Sequence, residues 1–210
     1  MLQERQIKEN LSWPEGQRIA VMLSFDFQGG EDLPPNKNGI MNHEEWTQAE
    51  YGSRTGKRPV GWRSCTQSPN SIELLMESGY LWNSNSFSYD LPFLWDHEKR
   101  TLVELPRQPF GDGRAYGHGD SGNPNDALMI WKGMFDEFYE ESKFGPAFCP
   151  FQFHPFISSR PGRARALKEI IQYMKKHEGA WFAKGSEVAE LALKFGSAAK
   201  KPMLKEAVGS

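Results

Sequence analysis

The chain is poor in cysteine, in net charge and in long apolar runs, and each shortage removes a class of protein. It has two cysteines in 210 residues, Cys65 and Cys149, far apart and outside any Cys-x-x-Cys pair. That pattern excludes a disulfide framework and a zinc ribbon. The 25 basic and 27 acidic residues leave a net charge of −2. No broad field would draw such a chain to nucleic acid or to an anionic membrane surface. No run of 18 apolar residues is present, as a membrane-spanning helix would require. The opening "MLQERQIKEN" is charged and lacks the apolar centre of a secretory signal. The expectation is a cytoplasmic protein with neither nucleic-acid nor membrane partners. Glycine (20), proline (14) and 13% aromatics are well represented, which points to a loop-rich α/β protein rather than a helical bundle.

The hydrophobic pattern supports that class. "RIAVMLSF", Arg18 to Phe25, is a nearly continuous apolar run, as in a strand buried on both faces. "AFCPFQF", Ala147 to Phe153, reads the same way. Shorter strands are expected at "YLWNSNSFS", "TLVELP" and "AWFA". "SPNSIELLMESG" reads as a helix capped by Ser68, with Ile72, Leu75 and Met76 on one face and Gly79 as its stop. A second helix opens at Asn125 or Asp126, with Leu128, Trp131, Phe135 and Phe138 in its stripe. A third runs from Ser158 or Ser159 with Leu167, Ile170, Ile171 and Met174 on one face, and a fourth follows Ser186. Strand–helix alternation predicts a parallel sheet, open or barrel-like. Residues 32–61 show no period, which marks either a functional loop or a segment from which something is missing. The segment 107–125 reads as a Gly- and Asp-rich loop. A single domain is expected over 1–210, with its core at 12–195 and frayed tails at 1–11 and 196–210.

In parallel α/β folds the working residues lie at the C-terminal ends of strands. Asp26 closes the first apolar strand and His154 closes "AFCPFQF". A carboxylate that accepts a proton from water and a histidine that protonates a leaving group form a hydrolytic pair. By spacing alone, each residue is equally a turn cap or a packed strand end. Arg63 in "GWRS" could orient a carboxylate or sit solvated in the basic stretch "EYGSRTGKRPVGWRS". His43, His118 and Cys65 are further loop candidates.

Three stretches together resemble the polysaccharide deacetylase family (carbohydrate esterase family 4). They are "VMLSFDFQGGE", "GKRPVGWRSCTQSPNSIELLMESGYLWNSNSFSYDLPF" and "FQFHPFISSRPGRARALKEIIQYMKKHEGAWFAKGSEVAE". "QGGE" and "YGSR" resemble a branch that includes metal-independent allantoinases. The resemblance implies a deformed, incomplete (β/α) barrel and hydrolysis of non-peptide C–N bonds. It implies Asp26 as general base, Arg63 as the group that holds it and His154 as general acid. Glu31, Trp62 and Asp90 are the implied contacts to a small-molecule or carbohydrate substrate.

Two departures from the family pattern shape the expectation. Many members carry a second aspartate as a metal ligand where this chain has Gln28, a poor donor for a divalent ion. Metal-using members, often zinc-dependent, have a His-x-x-x-His pair. Here Arg54 is followed directly by Thr55, with no such pair between the flanking segments. About two βα units, on the order of 60 residues, are therefore expected to be missing. No bound metal or other cofactor is expected. Three readings follow: a deacetylase-like chain impaired by the gap, a metal-independent amidohydrolase, or a non-catalytic carbohydrate-binding remnant. Strands left without neighbours would favour self-association, so a homo-oligomer fits the pattern.

Overall fold

The computed structural model describes residues 2–26, 56–64, 67–116 and 122–198. In chain order they form β1 (Gln3–Gln6), β2 (Ile19–Phe25), β3 (Gly61–Trp62), α1 (Ser71–Glu77), β4 (Trp82–Asn83), β5 (Phe93–His97) and β6 (Arg100–Glu104). There follow α2 (Asp112–Ala115), α3 (Pro124–Glu141), β7 (Ala147–Phe153), α4 (Pro155–Ser158), α5 (Arg163–Met174), β8 (Ala180–Phe182) and α6 (Gly185–Ala198).

The apolar runs become the centre of the molecule. β2 lies between β7 and β8 in a three-stranded sheet and is parallel to both. Because side chains alternate across a strand, Ile19 and Val21 face one cluster while Ala20 and Met22 face another. The first cluster joins β7 to α3 and α5 through Trp131, Phe135, Phe151, Ile170 and Met174. The second joins β2 to β5, β6 and α6 through Leu94, Val103, Val188 and Ala192. Ile19, Ala20 and Val21 are fully buried, each large apolar side chain contributing about 1.5–3 kcal/mol relative to exposure.

The second sheet has the order β1-β5-β6-β4-β3. Its β3, β4 and β6 are parallel, but β5 is antiparallel to both β1 and β6. The parallel pairings meet the expectation, and the antiparallel β5 is an addition to it. β5 and β6 form a hairpin whose turn holds Glu98 at φ 53. Glutamate seldom adopts that conformation, and without an Asn-Gly or Asp-Gly pair the sequence gives no hairpin signal there. Among the described residues the two sheets do not close into a barrel, which agrees with an open, incomplete barrel of mixed α/β type.

The predicted fray over 1–11 is corrected. β1 pairs with β5, and Ile7 and Leu11 are buried. Arg5 donates to Asp96 at 2.6 Å and to the Gly196 carbonyl at 2.6 Å, tying the start of the chain to the end of α6. Helix starts move too. α3 begins at Pro124 because the Asn123 side chain accepts from the Asn125 N–H. The predicted third helix starts later, as α5 at Arg163 after Gly162, whose φ is 66, and the short α4 lies before its predicted start. Ser158 does not cap α5, because its hydroxyl bonds elsewhere.

Candidate active site

The register of β2 and β7 sets the site. Phe25 lies opposite Phe153, so Asp26 and His154 leave neighbouring strands side by side at the same end. The Asp26 N–H donates to the Phe153 carbonyl at 2.8 Å, extending the ladder by one bond. Neighbouring strands are about 4.8 Å apart, so the two side chains start within reach of a common substrate.

Asp26 is held from two sides. Gln152 Nε2, from β7, donates to Oδ2 at 2.5 Å. Arg63 Nη1 faces Oδ1 at 3.8 Å. Arg63 follows β3 and crosses from the second sheet to the first. Its Nη1 donates to Ser24 Oγ at 2.6 Å, its Nη2 to Ser84 Oγ at 2.7 Å and its Nε to the Ser84 carbonyl at 3.2 Å. Only 9% of its side chain is exposed. Burial pulls the guanidinium below its ordinary pKa, the Asp26 carboxylate opposes that, and Arg107 and Glu104 act in opposite senses. An arginine remains charged through such a shift, so Asp26 faces a fixed cation.

His154 is held by a residue absent from the sequence-based candidates. Asp112 is fully buried. Its Oδ1 lies 2.7 Å from His154 Nδ1, and its Oδ2 accepts from the His154 backbone N–H at 2.6 Å and from Ser158 Oγ at 2.7 Å. A carboxylate only accepts, so Nδ1 carries the hydrogen and Nε2 is the nitrogen left to face a substrate. The Asp112 hydrogen bond raises the His154 pKa, burial opposes it, and the charges of Asp112 and Asp26 raise it further against Arg63. Gly111 makes this placement possible: a Cβ there would meet the Gln152 carbonyl at 2.7 Å. A larger residue would push α2, and Asp112 with it, off β7. The signal in the sequence was the Gly-Asp pair in "FGDGRAYG", which reads equally as a loop.

The other sequence candidates lie elsewhere. Trp62 packs against the α1 cluster, edge-on to Tyr80 at 5.6 Å, and that packing accounts for its partial burial. Asp90 is exposed, accepts from Gln108 at 2.9 Å and borders a groove of ≈ 500 Å³ along α3. Asp26, Arg63 and His154 do not line that groove. Cys149 is a buried free thiol whose pKa burial pushes well up, so it is unreactive. Glu31, Gln28, His43, Cys65, His118 and the Arg54–Thr55 junction lie outside the described residues.

Among the described residues, the donors around Asp26 do not fit the divalent metal often used by the family the chain resembles. One Asp26 oxygen takes the Gln152 amide and the other faces a guanidinium, which would repel a cation at the same carboxylate. Among the described residues no three His, Cys, Asp or Glu side chains cluster as ligands, whereas zinc sites use three or four. Among these residues, too, no helix is long and apolar enough to cross a membrane.

No family model matches the chain. Over 69 residues it is 30% identical to a candidate polysaccharide deacetylase of Schizosaccharomyces pombe, which covers 32% of this chain and 22% of that protein. A probable polysaccharide deacetylase of Pseudomonas aeruginosa PAO1 superposes with TM-score 0.65 at 27% identity, over 81% of this chain and 56% of that one. The PuuE allantoinase superposes with TM-score 0.64 at 26% identity, over 80% of this chain and 55% of that one. A candidate polysaccharide deacetylase of Mycobacterium smegmatis shares the fold with TM-score 0.72 at 21% identity, and the two chains cover 96% and 98% of each other. This chain thus spans about a fifth of the curated relative and just over half of two of the solved structures.

Proposed function

We propose that this chain hydrolyses a non-peptide C–N bond by acid–base catalysis between Asp26 and His154, with no divalent metal in the step. The sequence motifs, the curated relative and two solved structures named as polysaccharide deacetylases support the hydrolase reading, with an allantoinase also among the structural neighbours. One observation carries the reading: the two groups leave adjacent parallel strands at the same end, and each is held by a buried partner.

The chemistry follows from that placement. Asp26 accepts a proton from water as the water oxygen bonds to the amide carbonyl carbon. Arg63 and Gln152 fix the carboxylate, so the attacking water has one preferred direction. His154, carrying a proton on Nε2, gives it to the leaving nitrogen as the C–N bond breaks. The raised pKa of His154 keeps that proton available closer to neutral pH than a free imidazole would. The products are a carboxylic acid and an amine, or one ring-opened molecule if the amide is cyclic. A cyclic ureide is the proposed substrate class, because the allantoinase among the structural neighbours and the "QGGE" and "YGSR" stretches support that branch.

The test is product release from allantoin and from a chitooligosaccharide, by the parent chain and by Asp26→Asn and His154→Gln. Ring opening by the parent, lost in both variants, supports the reading. Absence of turnover with every ureide and acetamido sugar overturns it, and so does turnover that survives both substitutions.

A further inference from the structure

Glu104 is the most fully engaged buried carboxylate near the site, and the chemistry above does not use it. It is the last residue of β6 and is fully buried. Burying a carboxylate is costly unless hydrogen bonds compensate it. Here four do. Oε1 accepts from the backbone N–H groups of Asn85 and Ser86, both at 2.8 Å. Oε2 accepts from Asn83 Nδ2 at 2.6 Å and from Trp95 Nε1 at 3.0 Å.

Three of these donors belong to the short segment 83–86, and that segment is what grips Arg63. Ser84, one residue from two of the donors, is fully buried and takes Arg63 Nε on its carbonyl and Nη2 on its hydroxyl. Asn83 Oδ1 accepts from Asn85 Nδ2 at 2.8 Å, which turns Asn85 Oδ1 to the backbone N–H of Ser64 at 3.1 Å. Arg63 is thus held at its side chain, and the next residue at its backbone, by one segment pinned to one carboxylate. Glu104 is also an opposite charge for the buried guanidinium.

We infer that Glu104 is a positioning residue for the active site: it fixes segment 83–86, which fixes Arg63, which orients Asp26. The inference deepens the proposed acid–base reading and rests on it for its catalytic consequence, but the control over Arg63 is measurable without turnover.

Hydrogen exchange at the Arg63 Nε–H, followed by NMR, reads that control directly. In Glu104→Gln the Arg63 Nε–H is expected to exchange about tenfold faster or more, as its acceptor segment loosens, while β2 and β7 amides keep their protection. Asn85→Ala removes the Ser64 link and the side-chain bond to Asn83 but keeps all four bonds to Glu104, so it serves where Glu104→Gln does not fold. There the acceleration should be smaller but present. Unchanged Arg63 exchange in a folded variant overturns the inference. Turnover supplies the second arm. Glu104→Gln should lower kcat about tenfold with little change in KM, as expected for lost orientation rather than lost binding. In an Arg63→Lys background the same substitution should cost almost nothing, because its effect runs through Arg63. A full, additive loss in that background would make Glu104 merely structural. A parent chain that exchanges as predicted but turns over no substrate refutes the proposed function while leaving the positioning role in place.

Discussion

The two sheets hold their parts of the site by different physics. The β7-β2-β8 sheet is apolar on both faces, and its backbone register brings Asp26 and His154 side by side before any side chain orients them. The β1-β5-β6-β4-β3 sheet has a polar heart, with Glu104, Asn83 and Ser84 fully buried, and it places Arg63 through a chain of side-chain hydrogen bonds. Register is enforced by every buried residue along a strand, because a one-residue slip would turn the whole apolar set outward. A polar network is enforced only while each member keeps its partner. The first sheet should therefore tolerate conservative change around the site, and the second should not.

The largest effects should come from the proposed acid–base pair itself. Asp26→Asn and His154→Gln are each expected to lower kcat by about 10²–10⁴-fold, the usual contribution of a positioned proton-transfer group. Asp26→Asn should lower the thermal midpoint only slightly. His154→Gln should lower it somewhat more, since it leaves the buried Asp112 one partner short. Neither should unfold the chain, because register rather than these side chains holds β2 against β7. A midpoint that collapses with either variant would break the contrast between the sheets.

Asp112→Asn should come next, with kcat about tenfold to a hundredfold lower. Its sign is readable in pH. The Asp112 hydrogen bond is the main cause of the raised His154 pKa. Without it the imidazole loses its proton at lower pH, so the alkaline limb of the activity profile should move down. Stability should follow. A histidine raised in the folded state contributes stability that is complete below its unfolded value, about 6.5, and is lost as pH rises through the folded one. Melting across that window should show this loss in the parent and a weaker one in the variant. An unmoved alkaline limb would remove Asp112 from the account.

Smaller effects test the edges of the second sheet. Arg5→Ala removes the Asp96 pair and the bond to the Gly196 carbonyl. About 1 kcal/mol of stability should be lost with kcat unchanged, as measured by denaturant unfolding alongside an activity assay. Asp90→Ala should do least, changing stability by no more than about 0.5 kcal/mol and leaving turnover intact. A large loss of turnover there would return Asp90 to the site.

What the sequence made legible follows the same division. β2 and β7 were visible as apolar runs, and their closing residues, Asp26 and His154, could be picked out because a strand end is a defined place. The stripe of α3 at Leu128, Trp131 and Phe135 was equally plain. The β5–β6 hairpin was hidden because Glu98 supplies a positive φ that no turn residue announces. β1 was hidden because "QERQ" is polar and mostly exposed, so its strand character comes only from pairing with β5. Asp112 and Glu104 were hidden for a different reason. Each looks like an ordinary acid in a loop or a short strand, and its role arises from partners tens of residues away. Local pattern carries no record of such partners.

The central claim is metal-free hydrolysis by Asp26 and His154, and the most direct measurement is the rate of allantoin ring opening by the parent chain before and after exhaustive chelation. The account predicts the same rate in both preparations, with no gain when zinc is added back. A rate that falls to background on chelation and returns with stoichiometric zinc would contradict it.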